Sequence, residues 1–302
     1  MPNQEAYFNA IAFISDIHGN LEALDAVLED IERHKVSTVY CLGDLVGYGP
    51  DPQACVQKIR SLQASGKIAK VICGNHDYGV ANNDLSIFSS SARIANEWTI
   101  KVLQGTPQFL MLQELAKENL MQEMGRFILV HSTVEPKPEK WEYLKIKAAA
   151  QNFVERKIVF MGHSHIPAIY SKYTAGKDWN PINLFGNDGH YYFPIPKKEP
   201  LKPNEAVGAY RVKLSSFPTM LVNVGSVGQP RDMHPSARYL LHISVDYNDY
   251  LEYRQVGYDV QKTVMKLKNR GLECDQELSV RLVTGGLSNF AKNTQPPEWF
   301  PF

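Results

Sequence analysis

Five short apolar runs in this chain each lead into a loop carrying Asp, Asn or His, and this recurrence constrains the fold more than any other feature. Ile11–Ile14 leads into Ser15-Asp16-Ile17-His18-Gly19-Asn20, Val39–Leu42 into Gly43-Asp44, and Val71–Cys73 into Gly74-Asn75-His76-Asp77. Phe127–Val130 leads into His131, and Ile158–Met161 into Gly162-His163-Ser164-His165. Short runs of this kind read as strands buried on both faces. Helical patterns lie between them. Leu21, Leu24, Leu28 and Ile31 share one helix face with Asn20 as N-cap, and Val56, Ile59 and Leu62 share another, with Gly66 at its end. Strands alternating with helices predict a parallel sheet covered on both sides. Ligands of such sheets bind beyond the carboxyl ends of the strands, so a parallel sheet would bring the five loops to one rim.

Taken singly, each loop has an ordinary explanation. Asp16 or Asn20 would cap a helix, Gly43-Asp44 and Gly74-Asn75 would be turns, and each histidine would be satisfied within its loop. Taken together, those explanations leave five of the nine histidines in the same strand-end context without a reason. A shared metal site supplies one. Carboxylate, imidazole and amide oxygen suit a borderline or hard divalent ion: manganese first, with iron, zinc, magnesium and nickel as alternatives. None of the five loops itself contains a cysteine, which argues against a structural zinc cage. Asp16, His18, Asp44, Asn75, His131, His163 and His165 are more ligands than one ion needs, and two ions sharing a carboxylate would use them all.

In these residues the chain resembles the calcineurin-like metallophosphoesterase superfamily. The family pattern is Asp-x-His, Gly-Asp, Gly-Asn-His-Asp/Glu, a lone His and Gly-His-x-His, and all five blocks occur here in order. The strings SDIHGN, CLGDLVGYGPDP and NVGSVGQPRD, at Ser15–Asn20, Cys41–Pro52 and Asn223–Asp232, resemble its small bacterial phosphodiesterase-like branch. The resemblance implies an α/β fold, specifically a four-layer α-β-β-α sandwich with mixed sheets. It implies one metal on Asp16, His18 and His165, another on Asn75, His131 and His163, Asp44 bridging them, and His76 as the catalytic histidine. The implied activity is dinuclear-metal-dependent hydrolysis of phosphodiesters or phosphomonoesters of small molecules, with a metal-bridging hydroxide as nucleophile. The alternatives are a nucleotide or dinucleoside-polyphosphate hydrolase, a nuclease, and a non-catalytic scaffold of the same fold. The presence of every ligand position argues against the scaffold.

One departure matters. The protein-phosphatase branch follows its Gly-Asp block with a second Asp and then an Arg, where this chain has Gly47 and Tyr48. Another group must therefore orient His76, and Asp77 and Asp51 are nearby candidates in sequence. Arg231 ends a turn-rich string and reads either as a phosphate clamp or as the partner of Asp232.

Thirty-two basic and thirty-two acidic residues cancel, giving no bulk attraction to nucleic acid or anionic membranes. The expected partner is a small phosphoester substrate, and the oligomeric state is left open. Cys41, Cys55, Cys73 and Cys274 lack metal-knuckle or redox spacing and read as structural thiols of a reducing compartment. No apolar stretch is long enough for a membrane span, and residues 1–10 lack a signal-peptide pattern, so a cytoplasmic location is expected. A single domain over residues 1–302 is expected, with an insertion of loops and short hairpins at about 171–220. Within it, His190, Tyr191 and Tyr192 would stack on a nucleobase or build a small core or dimer contact. A helical pattern around Ala92, Ala95 and Trp98, helices over 146–156 and around Val260–Lys268, a strand at Leu221–Val224 and a hairpin of Tyr239–Asp246 and Tyr250–Val256 complete the reading.

Overall fold

The computed structural model describes residues 10–135, 152, 154–171, 190–192, 201–214 and 219–286. In chain order the elements are β1 (Ala10–Ile14), α1 (Leu21–Arg33), β2 (Thr38–Cys41), α2 (Pro52–Ala64), β3 (Ile68–Val71), α3 (Asn75–Asn82), α4 (Ser90–Leu103), α5 (Pro107–Glu118), β4 (Met121–Met124), β5 (Phe127–Val130), β6 (Ile158–Met161), β7 (Ala168–Ser171), β8 (His190–Tyr192), β9 (Ala206–Lys213), β10 (Met220–Asn223), β11 (Ala237–Val245), β12 (Asn248–Val256), α6 (Val260–Arg270) and α7 (Asp275–Thr284). They build two mixed six-stranded sheets, where strand alternation alone suggested one parallel sheet. The first runs β3-β2-β1-β11-β12-β9 and the second β4-β5-β6-β10-β7-β8. Parallel pairing joins β1, β2 and β3 in the first sheet and β5, β6 and β10 in the second.

The strands are apolar along their length because both faces are covered. In β1, Ile11 and Phe13 face the second sheet, while Ala12 and Ile14 pack under the helices. In β6, Ile158 and Phe160 face inward, and Val159 and Met161 line the opposite face. Phe13 and Phe160 stack across the inter-sheet core with centroids 3.9 Å apart and planes 19° apart. Outside the first sheet, α1, α2, α3 and α5 close a second core through Leu24, Val27, Ile31, Val56, Ile59, Val80 and Leu112. Asn20 caps α1 as its sequence indicates, accepting from Ala23 N at 3.1 Å.

Other expectations shift. β3 begins at Ile68, so Ile72 and Cys73 lie past the strand on the way to the site. The segment 171–220 contributes β8, which pairs with β7, and the eight-residue β9, an edge strand of the first sheet. The remainder of that segment is largely outside the described residues, as are the side chains of His190, Tyr191 and Tyr192. Of the helix expected over 146–156, only 152 and 154–156 are described. There Arg156 adopts φ 58°, which does not continue a helix. The hairpin of β11 and β12 turns on two residues, Asp246 and Tyr247, both left-handed, as a tight hairpin turn requires. Near the C-terminal end, α6 and α7 pack with α4 over Tyr48. Lys266 on α6 holds Glu22 at 2.6 Å and Asp51 at 2.8 Å, fixing that helix against the start of α1. Among the described residues no helix is long and apolar enough to cross a membrane.

Candidate metal centre

The parallel strands of both sheets end at one rim. Asp16 and His18 follow β1, Asp44 follows β2, Asn75 and His76 open α3, His131 follows β5, and His163 and His165 follow β6. All are buried, none more than 7% exposed. The loop after β10 stitches the sheets together here. Val227 N and Gly228 N donate to Ser15 O and Asp16 O, each at 2.9 Å. The Asn223 amide donates to Gly162 O and to Ser164 Oγ. Asp16 spans the seam by accepting from His163 N at 3.1 Å through both carboxylate oxygens. Asp16, His18, Asp44, His163 and His165 all take left-handed backbone, with φ between 49° and 64°. Each such residue costs about 1–2 kcal/mol. Strain of this kind gathers where the placement of a side chain matters more than local comfort.

Two candidate ligand groups share one member. Potential donor atoms of Asp16, His18, Asp44 and His165 lie within 4.8 Å of one another, and so do those of Asp44, His131 and His163. Asn75 Oδ1 joins the second group, 3.2 Å from His131 Nε2. The tautomers follow from the backbone. His18 Nδ1 donates to Val46 O at 3.0 Å, His165 Nδ1 to Gln229 O at 2.6 Å, and His131 Nδ1 to Leu42 O at 2.7 Å. A carbonyl only accepts, so each Nδ1 carries its proton and Nε2 turns inward.

The inward atoms fit metal ions. His18 Nε2 and His165 Nε2 face each other at 3.1 Å. Burial drives both rings well below the ordinary histidine pKa, which keeps them neutral. Two lone pairs at that distance repel, and a cation between them relieves both. In the second group His131 Nε2 lies 3.2 Å from Asp44 Oδ2, so that point also demands positive charge. Burial opposes charge on His131, yet Asp44 lifts its pKa to about 9. Burial likewise opposes ionisation of Asp44, but His131 and His76 outweigh it and hold its carboxyl well below the usual range. Burial pushes Asp16 up to about 7. Negative charge therefore concentrates on Asp44, the residue common to both groups.

His76 sits beside the candidate ligands. Its backbone N donates to Asp44 Oδ1 at 2.8 Å, and its ring is flanked by Tyr48, Phe88 and His18 at 4.6, 4.7 and 4.9 Å. Its Nδ1 donates to Asn96 Oδ1 at 3.0 Å. Neither candidate from the sequence does this. Asp77 accepts from Leu45 N, Val46 N and Gly74 N, tying two ligand loops together, and Asp51 is held by Lys266. Asn96 belongs to no motif and so does not stand out in the sequence. The available signal was its place on the buried stripe of α4, with Ala92, Ala95, Thr99 and Leu103. Arg231 is also buried, and its Nη2 donates to Gln229 Oε1 at 3.1 Å and to Tyr48 OH at 3.4 Å. Asp232 is engaged by Arg238 at 2.6 Å.

This arrangement has counterparts. The profile of the calcineurin-like phosphoesterase family matches residues 10–193. An uncharacterized protein of Methanocaldococcus jannaschii is 37% identical over 264 residues, covering 86% of this chain and 93% of its own length. The symmetrical bis(5'-nucleosyl)-tetraphosphatase of Vibrio cholerae is 28% identical over 139 residues, which is 46% of this chain and 48% of that relative, so the match spans about half of it. Among solved structures, a metallophosphoesterase from Sphaerobacter thermophilus aligns with a TM-score of 0.65 at 30% identity, covering 92% of this chain and 99% of its own.

Proposed function

The chain belongs to the calcineurin-like phosphoesterase family, as a metal-dependent phosphoester hydrolase, and from that premise we propose how its own residues divide the work. Asp16, His18 and His165 hold one divalent ion, Asn75, His131 and His163 hold the second, and Asp44 serves both. The support is the pair of neutral imidazoles facing each other at 3.1 Å, together with a carboxylate common to both ligand groups. When bound, the ions supply Lewis acidity for a phosphoryl group and a water nucleophile at neutral pH. Manganese is the first choice among ions that suit this oxygen and imidazole set. His76 gives a proton to the departing oxygen. Arg231, held against Tyr48 by Gln229, grips a phosphoryl oxygen of the substrate.

The substrate in this reading is a small phosphodiester or phosphomonoester. A second reading, a dinucleoside-polyphosphate hydrolase, draws on the name of the Vibrio cholerae relative and on a buried arginine beside an aromatic ring at the site. The four free, buried cysteines fit a reducing compartment, so the reading extends to the cytoplasm. We take residues 1–302 as one domain.

One experiment tests the reading and orders the substrates. Protein supplied with manganese is assayed in parallel on an aryl phosphate monoester, an aryl diester, cyclic nucleotides and dinucleoside polyphosphates. Turnover of an aryl or cyclic ester above the dinucleoside polyphosphates supports the first reading, and the reverse order supports the second. No turnover on any of them contradicts both.

A further inference from the structure

Resting on the reading of His76 as proton donor, we infer that Asn96, on α4, is the residue that positions it. Asn96 is fully buried. Its Oδ1 accepts from His76 Nδ1 at 3.0 Å, while its Nδ2 makes no hydrogen bond among the described residues. A buried amide with one end unsatisfied is costly to keep, and the one side-chain hydrogen bond it makes among the described residues holds that ring. The neighbouring loop offers no substitute. A Cβ on Gly47 would lie 2.6 Å from the same Nδ1, so residue 47 has no room for a side chain that orients His76. The acceptor must come from another element, and α4 brings it.

The consequence is specific to one step. With Nδ1 committed to Asn96, Nε2 is the ring nitrogen left for chemistry. In hydrolysis the bond from phosphorus to the leaving oxygen breaks, and that oxygen keeps the electron pair and takes the Nε2 proton. The oxygen of the attacking water forms the new bond to phosphorus, and a proton released from that water restores the ring. A ring free to swing delivers its proton poorly, and the loss is greatest where the leaving oxygen needs that proton most.

The test uses manganese-loaded protein and two phosphoesters that differ only in the leaving group, a nitrophenol and a simple alcohol. Asn96→Leu keeps the branched outline of the side chain, at a larger volume, and removes the acceptor. Asn96→Asp keeps the acceptor, replaces the unbonded amide end by a second carboxyl oxygen and adds a negative charge beside the ring. We expect Asn96→Leu to lower kcat on the alkyl ester by about 10- to 100-fold, a part of what general acid catalysis contributes. The nitrophenyl ester should lose far less, KM should stay within about twofold, metal content should equal that of the wild type, and Asn96→Asp should recover most of the alkyl-ester rate. Equal losses on both esters, or an Asn96→Asp variant as poor as Asn96→Leu, would overturn the inference. If Asn96→Leu does not fold, Asn96→Ser draws the acceptor out of reach and carries the same expectation. His76→Ala, run alongside, separates the two claims. An alkyl-ester rate that survives His76→Ala refutes the proton-donor reading itself. A rate lost with His76→Ala but kept with Asn96→Leu refutes only the role of Asn96.

Discussion

Replacing Gly47 by alanine adds one methyl group between two imidazoles. The backbone there has φ +129°, and the new Cβ would lie 2.6 Å from His76 Nδ1 and 2.9 Å from His18 Nδ1. The nearer approach is about 0.8 Å short of ordinary contact. Two costs add. The backbone conformation costs about 1–3 kcal/mol for any residue with a side chain. Forcing a methyl group into a packed site costs about another 1–3 kcal/mol. A total of about 2–6 kcal/mol lowers Tm by roughly 3–10 °C in a chain of this size. The rings must also move, and a displacement of about 1 Å in a positioned catalytic group costs roughly 100-fold in rate. The assay pairs thermal unfolding with kcat on an aryl phosphoester. Gly66→Ala and Gly105→Ala are the controls, since they share positive φ (+81° and +80°) but have nothing within 4 Å of the added Cβ. They should lose only the strain component and keep full turnover. A Gly47→Ala protein no less stable than these controls, with kcat within twofold of wild type, would refute the overlap argument.

The other expectations concern substrate grip and acid stability. Arg231→Ala should raise KM by about 10- to 100-fold, the equivalent of a charge-assisted hydrogen bond of about 1.5–3 kcal/mol, with metal content unaltered. An unchanged KM on every substrate would remove Arg231 from the binding role. His242, buried and accepting from Arg126 Nη2 at 2.8 Å, has its pKa pulled from 6.5 to about 4 by burial and then by Arg126. The unfolded ring takes up its proton first as pH falls, so stability is untouched above about pH 6.5. It declines between there and about pH 4, and this contribution levels off below that. The decline is at most about 3 kcal/mol. His242→Gln, which keeps an acceptor for Arg126, should flatten that part of the profile in urea unfolding measured from pH 7 to pH 4. Parallel profiles for the two proteins would contradict the assignment.

Much of the candidate site was legible in the sequence because residues able to hold a metal ion are few in type and must stand at fixed points. Asp16, His18, Asp44, Asn75, His131, His163 and His165 each stood in a loop that follows an apolar run, and the fold brings these loops together. The division into two sheets was not legible from the strands themselves. A strand such as β1 reads as continuously apolar whether its second face meets a helix or another sheet, and contacts across the sheets, such as Phe13 on Phe160, distinguish the cases. The helix α3 left little periodic trace, because its first residues serve the site and Gly79 is pressed against Phe88. Asn96 was hidden for another reason. A lone amide on an otherwise small and apolar helix stripe carries no motif, and its role depends on a partner twenty residues away.

In the proposed centre two divalent ions share Asp44. Chelator-treated protein is titrated with manganese, following bound ions per chain and phosphoester turnover on the same samples. Two ions per chain, with turnover rising to its full value only as the second is bound, is the expected result. Saturation at one ion or none, or full turnover in excess chelator, would contradict a shared two-ion centre.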